Sequence, residues 1–115
     1  MNGATTEPGI SRIDVRASGR CRTRWKSQER VPSTVSKVSL ADGLMYAYTK
    51  DQGPNTTDAW YLTAISFRKG TAAWKRLVGT GFGYNNNFAP VTLGPDGKTA
   101  YIGVLGGLTL VRDTQ

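Results

Sequence analysis

The sequence predicts an all-β protein whose strands pair in antiparallel sheets. Hydrophobic residues make up 38% of its 115 residues and 14 residues are glycine, a balance typical of short strands joined by glycine turns. Runs rich in Val, Ile, Thr, Tyr and Trp come in pairs separated by tight-turn signals. The clearest signals are Asp42-Gly43 and Asp96-Gly97, since Asp-Gly between two alternating runs strongly indicates a β-hairpin. No segment has a convincing helical period.

Nine segments have this strand character, and they fall into three groups along the chain. The first group has two segments, the second has four and the third has three. Their residues are 9–16 and 21–26, then 35–40, 44–49, 59–67 and 72–78, and finally 88–93, 99–104 and 107–112. Residues 1–8 precede the first strand and are expected to form a disordered tail.

The strand pattern repeats within the chain. Residues 38–43 recur as residues 91–97 with one inserted residue, and Trp25 recurs as Trp74, so the landmarks return about 50 residues later. A repeat of roughly 40 to 50 residues made of four short strands is typical of a β-propeller blade. The sequence therefore predicts antiparallel four-stranded blades.

The repeat divides the chain into pieces of blades. We expect residues 9–26 to be the outer half of one blade, residues 35–78 a complete blade and residues 88–113 the inner part of a further blade. About two blades cannot close a ring, because propellers close with about four to eight. The chain is therefore expected to be the C-terminal part of a longer repeat protein.

Residues 62–74 resemble the quinoprotein-type propeller repeat, which carries a small residue, an apolar residue, a glycine and a tryptophan at fixed spacing. Here those residues are Ala64, Ile65, Gly70 and Trp74, and a degenerate copy runs from Arg12 to Trp25. The resemblance implies that Trp25 and Trp74 are structural and dock one blade on the next. Enzymes of this class hold pyrroloquinoline quinone and calcium at the propeller axis. None of those ligand positions is found here, so no cofactor is expected.

Residues 81–97 resemble the closing region of secreted actinobacterial propeller proteins that have no assigned activity. The resemblance implies that the parent protein is exported, in the cell envelope or outside the cell, and has a structural or ligand-binding role. The first eight residues lack the pattern of a signal peptide, so this chain by itself would read as cytoplasmic. No apolar run is long enough to predict a membrane span.

The formal charge of +7 comes from 15 basic and 8 acidic residues. Part of the excess lies at alternating positions of one predicted strand, at Arg20, Arg22, Arg24 and Lys26. Alternate residues share one face of a strand, so these side chains are expected to point to water. Binding of nucleic acid by this strand is the less favoured alternative, because no stacking aromatic shares the basic face.

Histidine is absent and Cys21 is the only cysteine. This excludes a histidine acid or base, a Ser-His or Cys-His pair and a Cys/His zinc site within the chain. No catalytic residue and no metal ligand is predicted. Cys21 is expected to be a small core-facing side chain, or one half of a disulfide to a segment outside this sequence.

Long connections on a rigid scaffold are where binding residues usually lie, and four connections are expected to share one rim. The most informative segment there is Tyr84-Asn85-Asn86-Asn87-Phe88. Its three amides can hydrogen-bond a sugar or a polar peptide, and its aromatic rings offer a stacking surface. The favoured alternative is a structural turn in which asparagine tolerates left-handed backbone.

A second connection on this rim is the predicted loop 50–58. Asp51, Asn55 and Asp58 offer hard oxygen ligands, but the spacing of an EF-hand is absent. A solvated loop is therefore favoured over a calcium site, and Asp51 and Asp58 are kept as candidate ligand-binding residues.

The leading hypothesis is a non-enzymatic scaffold or binding module from a larger exported bacterial propeller. A fragment of a quinone-dependent dehydrogenase is the alternative, and nucleic-acid binding through the basic strand is the second alternative. The expected partners are the remaining blades of a longer propeller or other copies of this chain, because uncovered strand edges and apolar faces favour association.

Overall fold

The structure, a computed structural model, describes residues 7–52, 55 and 57–114. Most of the expected tail at residues 1–8 therefore lies outside the described residues. Gly53, Pro54 and Thr56 of the predicted loop 50–58 and the terminal Gln115 lie outside them as well.

The described residues form an all-β fold, which confirms the predicted class. Apart from 3-10 turns such as Phe82–Tyr84, these residues contain only strands, turns and irregular segments. The strands in chain order are β1 Ser11–Val15, β2 Cys21–Lys26, β3 Lys37–Ser39, β4 Leu44–Gln52, β5 Asp58–Ser66, β6 Ala72–Thr80, β7 Val91–Leu93, β8 Thr99–Val104 and β9 Gly107–Arg112.

The strands form three sheets in chain order, and every neighbouring pair is antiparallel. The first sheet is β1-β2, the second is β3-β4-β5-β6 and the third is β7-β8-β9. Val35 and Pro90 form a parallel bridge in front of β3 and β7, and this bridge links the second sheet to the third. Each sheet is thus built from strands that follow one another along the chain.

Strand β4 extends further than the sequence predicts, to Gln52 instead of residue 49, and β5 begins at Asp58 and ends at Ser66, one residue earlier than predicted at each end. The ladder continues with Lys50 opposite Trp60 and Gln52 opposite Asp58. Lys50, Asp51 and Asp58 are therefore strand residues, so the expectation that they belong to a solvated loop is wrong. Charged residues are poor strand formers. Here the backbone hydrogen bonds between β4 and β5 keep them in the ladder beyond the end of the apolar run.

Two apolar clusters lie between the sheets. Between the second and third sheets, the buried side chains are Tyr48, Trp60, Leu62, Val91, Ala100 and Ile102. Between the first and second sheets, Met45, Ala47 and Ile65 are buried, and Ile10, Trp25 and Val31 pack against them. Since β4 and β5 contribute to both clusters, this strand pair is the centre of the fold.

The second sheet is consequently buried on both faces along β4 and β5. Tyr48 stacks on Trp60 with ring centroids 5.3 Å apart. The hydroxyls of Thr49 and Thr63, both fully buried, form a hydrogen bond of 2.7 Å. A strand buried on both faces lacks the simple alternation of apolar and polar residues, and the sequence Tyr-Ala-Tyr-Thr-Lys in β4 has this character.

Trp25 joins the first sheet to the second. Its indole N–H donates a hydrogen bond of 3.0 Å to the carbonyl oxygen of Phe67. Its ring lies directly over Gly70, where any Cβ would overlap the ring atoms. Arg12 adds a second hydrogen bond to the same carbonyl and lies 4.2 Å from the centroid of the Phe67 ring. The turn between β5 and β6 is thus the docking surface for the first sheet.

The exposed position of Cys21 corrects the expectation of a core-facing side chain. The register between β1 and β2 shifts between Arg12 and Ile13, so the strict alternation assumed for β2 is interrupted. Trp25 lies opposite Arg12, which contacts the second sheet, whereas Cys21 lies opposite the exposed Val15. The first sheet is covered on one face, and Cys21 belongs to the other.

Trp74 occupies the corresponding position at the start of β6 but has different surroundings. It is 40% exposed and makes an edge-on contact with Tyr46, with ring centroids 5.8 Å apart. Among the described residues its indole N–H has no hydrogen bond comparable to that of Trp25. Trp25 and Trp74 therefore differ in what covers them.

None of the helical segments in the described part of the chain has the length and apolar character needed to cross a membrane.

Candidate functional site

A cavity of about 310 Å³ lies where the long connections meet. Its walls come from four separate parts of the chain. The lining residues are Pro32, Ser33, Lys50, Asn85, Asn86, Asn87, Phe88 and Leu105. The volume is at the lower end of the range for small-ligand sites, and the segment with three consecutive asparagines forms much of its wall.

Hydrogen bonds from neighbouring elements hold the segment from Gly81 to Asn86. The bonds to its carbonyl oxygens from other elements include Trp60 Nε1 to Gly81 at 3.2 Å, Tyr48 Oη to Tyr84 at 2.9 Å, the Leu105 amide to Asn85 at 2.9 Å, the Gly106 amide to Gly83 at 2.8 Å and Ser33 Oγ to Asn86 at 2.6 Å. Burial, together with the nearby Tyr84, raises the pKa of Tyr48, which keeps its hydroxyl a donor. A wall anchored in this way is pre-organised for a ligand.

The three asparagines have different roles. Asn86 is 2% exposed, and its Nδ2 donates to the carbonyl oxygens of Ala89 at 3.1 Å and Gly103 at 2.7 Å. Asn86 therefore fixes the turn through its side chain. The left-handed backbone that was expected of an asparagine here occurs at Phe88 instead. Asn85 is half-buried and Asn87 is exposed, so these two amides are available to a molecule in the cavity.

Phe88 combines an exposed ring with an unfavourable backbone. Its φ angle is 60° and its side chain is 73% exposed. A left-handed conformation costs a residue other than glycine about 1–2 kcal/mol, and solvent exposure of the ring recovers none of that energy. Strained residues of this kind concentrate at ligand-binding sites, and this one lies in the wall of the cavity.

Tyr84 does not line the cavity. Its ring lies over Gly79 so closely that a Cβ at Gly79 would overlap it. Of the five predicted residues, Tyr84 only fixes the segment, Asn86 fixes it and also lines the cavity, and the remaining three, Asn85, Asn87 and Phe88, form the rest of this wall.

Asp51 and Asp58 are engaged in ion pairs. Lys75 Nζ lies 2.6 Å from Asp51 and 2.8 Å from Glu29, and Lys50 Nζ lies 3.4 Å from Asp58. Burial lowers the pKa of Lys75, but hydrogen bonds to Asp51 and Glu29 outweigh it and raise the pKa overall. Neither aspartate lines the cavity, and the described residues contain no cluster of acidic or cysteine side chains that could hold a metal ion.

The sequence predicts that the long connections share one rim but does not single out Lys50, Ser33 or Pro32 as residues of a site. Lys50 is 1% exposed and its ammonium lies 5.4 Å from the centroid of the Trp60 ring. Ser33 and Pro32 come from a connection that carries no distinctive motif. The one available signal was the lysine that directly follows the apolar run of β4. It was not used, because a lysine at the end of a strand is normally assigned to solvent.

Four buried polar atoms have no hydrogen-bond partner among the described residues, namely Arg30 Nε, Thr34 Oγ1, Asp58 Oδ1 and Asn86 Oδ1. Of these, Asn86 Oδ1 is the one that belongs to a residue of the cavity wall. Because buried polar atoms are normally paired, this oxygen is a candidate acceptor for a ligand hydroxyl.

A scan against protein-family models finds no match for this chain, and searches of curated proteins and of solved structures find none either.

Proposed function

We propose that the three sheets are blades of a β-propeller and that the chain is a non-enzymatic binding module for a short oligosaccharide. The propeller assignment is supported by the order of the sheets and by the parallel bridge between Val35 and Pro90 at the start of neighbouring sheets. The binding function is supported above all by Phe88, whose exposed ring is held at a backbone cost in the wall of the cavity.

The chemistry around Phe88 suits a neutral, hydroxyl-rich ligand. Each of the amides of Asn85 and Asn87 offers both donors and an acceptor, and sugar hydroxyls need both. The Phe88 ring offers an apolar face on which the C–H face of a sugar ring can stack. The cation of Lys50 is paired with Asp58, so the cavity has no strong preference for a charged ligand.

The proposal is tested by titrating the isotopically labelled chain with cellobiose and with N,N′-diacetylchitobiose and following its amide resonances. We expect shifts at Ser33, Asn85 and Asn87. Phe88→Ala is expected to weaken binding roughly 5- to 150-fold, since loss of a stacked ring removes about 1–3 kcal/mol. Phe82→Ala is the matched control, because Phe82 is equally exposed and lies outside the cavity.

A second variant separates folding from binding. Phe88→Gly relieves the left-handed strain and is expected to leave the protein at least as stable as the wild type, while binding is still lost. The proposal is wrong if neither disaccharide shifts the cavity resonances. A response only to the peptide N-acetyl-Ser-Gly-amide would assign the cavity to polar peptides instead.

A further inference from the structure

The outer edges of the three sheets differ in how they are protected from pairing with another chain. Charged side chains on an edge strand oppose such pairing. The edge strand β2 carries Arg22, Arg24 and Lys26, and β6 carries Lys75 and Arg76. The edge strand β9 has no charged residue before Arg112, its last residue, so it is the unprotected edge.

The exposed side chains of β9 are apolar. Leu108 is 69% exposed and Leu110 is 55% exposed. The Asp113 amide donates to the Lys98 carbonyl, towards β8. Because N–H groups alternate in direction along a strand, the N–H groups of Leu108, Leu110 and Arg112 point away from β8. The strand therefore offers both an apolar face and a row of open backbone groups.

The contact of Trp25 shows what its counterpart Trp74 lacks. Trp25 lies on Gly70, in the turn that enters β6, the strand that follows β5 in the sheet. Trp74 faces a cleft of about 750 Å³ whose other wall includes Arg112 and Asp113 at the end of β9. By analogy with the contact between Trp25 and Gly70, Trp74 lacks a partner glycine at the start of a strand that would pair with β9.

The position that this glycine should take follows from matching hydrogen bonds in the two sheets. The Phe67 amide donates to Gly43 in the second sheet, as the Asp113 amide donates to Lys98 in the third, so Phe67 corresponds to Asp113. Ser66 donates to Thr71 across the next strand pair, which puts Gly70 opposite Phe67. The missing glycine should therefore lie opposite Asp113.

We propose that β9 pairs antiparallel with β9 of a second copy of the chain, forming a two-fold dimer with Leu110 opposite the partner's Leu110. In this register the partner's Gly107 lies opposite Asp113, beside Trp74, and the partner's Leu108 lies opposite Arg112. Gly107 has a φ of 140°, a conformation that favours glycine in a turn entering a strand.

The register satisfies two further conditions. The open N–H groups of Leu108, Leu110 and Arg112 would donate to the carbonyl oxygens of the partner's Arg112, the partner's Leu110 and the partner's Leu108, as an antiparallel ladder requires. Leu108 and Leu110 of both copies also share one face of the resulting six-stranded sheet. A self-complementary interface of this kind closes at two copies, which is the commonest symmetry among oligomers.

The first test is the molar mass measured by sedimentation equilibrium over a series of concentrations. We expect wild-type chain to approach twice 12.4 kDa, and Leu110→Lys to return it to the monomer mass because two ammonium groups would face each other at the axis. Leu77→Lys on the edge strand β6 and Leu40→Lys in the β3–β4 turn are matched controls, and both are expected to remain dimers.

The second test measures the register by cross-linking. It remains informative even if Leu110→Lys fails to fold. In a Cys21→Ser background, Leu110→Cys is expected to form an intermolecular disulfide, because Cα atoms of a hydrogen-bonded antiparallel pair lie about 5.5 Å apart. Leu108→Cys should not cross-link, since the two copies of residue 108 would be displaced by about 13 Å along the strands.

Four results would overturn the dimer. A monomer mass at every concentration excludes it, and growth into larger assemblies excludes a closed two-fold contact. Loss of the dimer in Leu77→Lys, or cross-linking through residue 108 in preference to residue 110, would move the interface to another edge or register.

Discussion

Gly19 and Gly70 have nearly the same backbone conformation and differ in what lies above them. Their φ angles are 78° and 76°. A Cβ at Gly19 would meet nothing within 4 Å, whereas a Cβ at Gly70 would overlap the ring of Trp25. The pair therefore separates two reasons for glycine, the need for left-handed backbone and the need for close approach.

This difference predicts unequal effects of the same substitution. Gly19→Ala is expected to lower the free energy of unfolding by about 1–2 kcal/mol, the cost of left-handed backbone. Gly70→Ala carries that cost and also overpacks Trp25, which adds about 1–3 kcal/mol. Urea unfolding of the two variants measures both values. Equal losses would mean that Trp25 moves aside without penalty, and that its contact with Gly70 does not hold the first sheet.

The residues of the candidate site show which part of it the sequence could predict. The run Tyr84 to Phe88 was recognisable because amides flanked by aromatics are unusual side by side. The different roles of its three asparagines were not predictable, because the side chain of Asn86 is directed inward by its hydrogen bonds to Ala89 and Gly103. The shared rim of the long connections was predictable from the order of antiparallel strands, whereas the contacts of Ser33 and Lys50 with this segment were not, since they depend on how the sheets pack.

At the scale of elements, two Asp-Gly turns are held by their aspartates. Asp96 accepts hydrogen bonds from the amides of Lys98 and Thr99 and from the Thr99 hydroxyl. Asp42 accepts from the Leu44 amide and from the Tyr46 hydroxyl. Burial raises the pKa of Tyr46 to about 12, assisted by Asp42, so this hydroxyl remains a donor at neutral pH.

The bonds to these carboxylates also change their pKa values. The hydrogen bond from Thr99 is the main cause of a lowered pKa at Asp96. At Asp42, burial acts to raise the pKa, but the bonds from Tyr46 and Leu44 together lower it. In both turns the ionised aspartate is the form that the folded chain favours.

The lowered pKa values predict acid sensitivity of these two turns. Each carboxyl has a folded-state pKa below its ordinary value of 3.8, so its stabilising contribution is complete above that pH and is lost as the pH falls through the folded-state pKa. We expect the melting temperature to fall more steeply below pH 4 in the wild type than in the Asp42→Asn, Asp96→Asn double variant. Parallel curves would contradict this assignment.

The strand elements were largely predictable, and their ends were not. Turn chemistry placed the hairpins at Asp42-Gly43 and Asp96-Gly97 because few residues adopt those turns. The extension of β4 through Gln52 was missed, since charged residues are poor strand formers and only pairing with β5 keeps them in the ladder. Cys21 was misplaced for a related reason, because a register shift is invisible in an alternating sequence.

At the scale of the whole molecule, the three sheets are unequally supported. The second sheet is covered by apolar clusters on both faces of β4 and β5, while the first sheet has two strands and depends on contacts such as that of Trp25. A two-stranded hairpin is marginal without a covered face. The chain should therefore open first at β1 and β2.

Amide hydrogen exchange tests this order of opening. We expect slow exchange in β4 and β5 and faster exchange in β1 and β2. Trp25→Leu should remove most of the remaining protection of β1 and β2 and leave that of β4 and β5 nearly unchanged, whereas Trp74→Leu should not affect the first sheet. If Trp25→Leu reduced protection evenly in all three sheets, the molecule would unfold as one cooperative unit.

The buried hydroxyl pair of Thr49 and Thr63 has a consequence for how the central strands find each other. In most sheets, a wrong alignment is rejected because it exposes apolar side chains to water, but β4 and β5 are buried on both faces. Thr49 lies opposite Tyr61 and Thr63 lies opposite Ala47, so the two hydroxyls meet on a diagonal. A slip of two residues in one direction would move the hydroxyls apart and leave each of them buried and unpaired, at a cost of about 1–3 kcal/mol apiece, whereas a slip in the other direction would place the two threonines opposite each other. We therefore expect this pair to oppose slippage of the central strands in one direction only during folding.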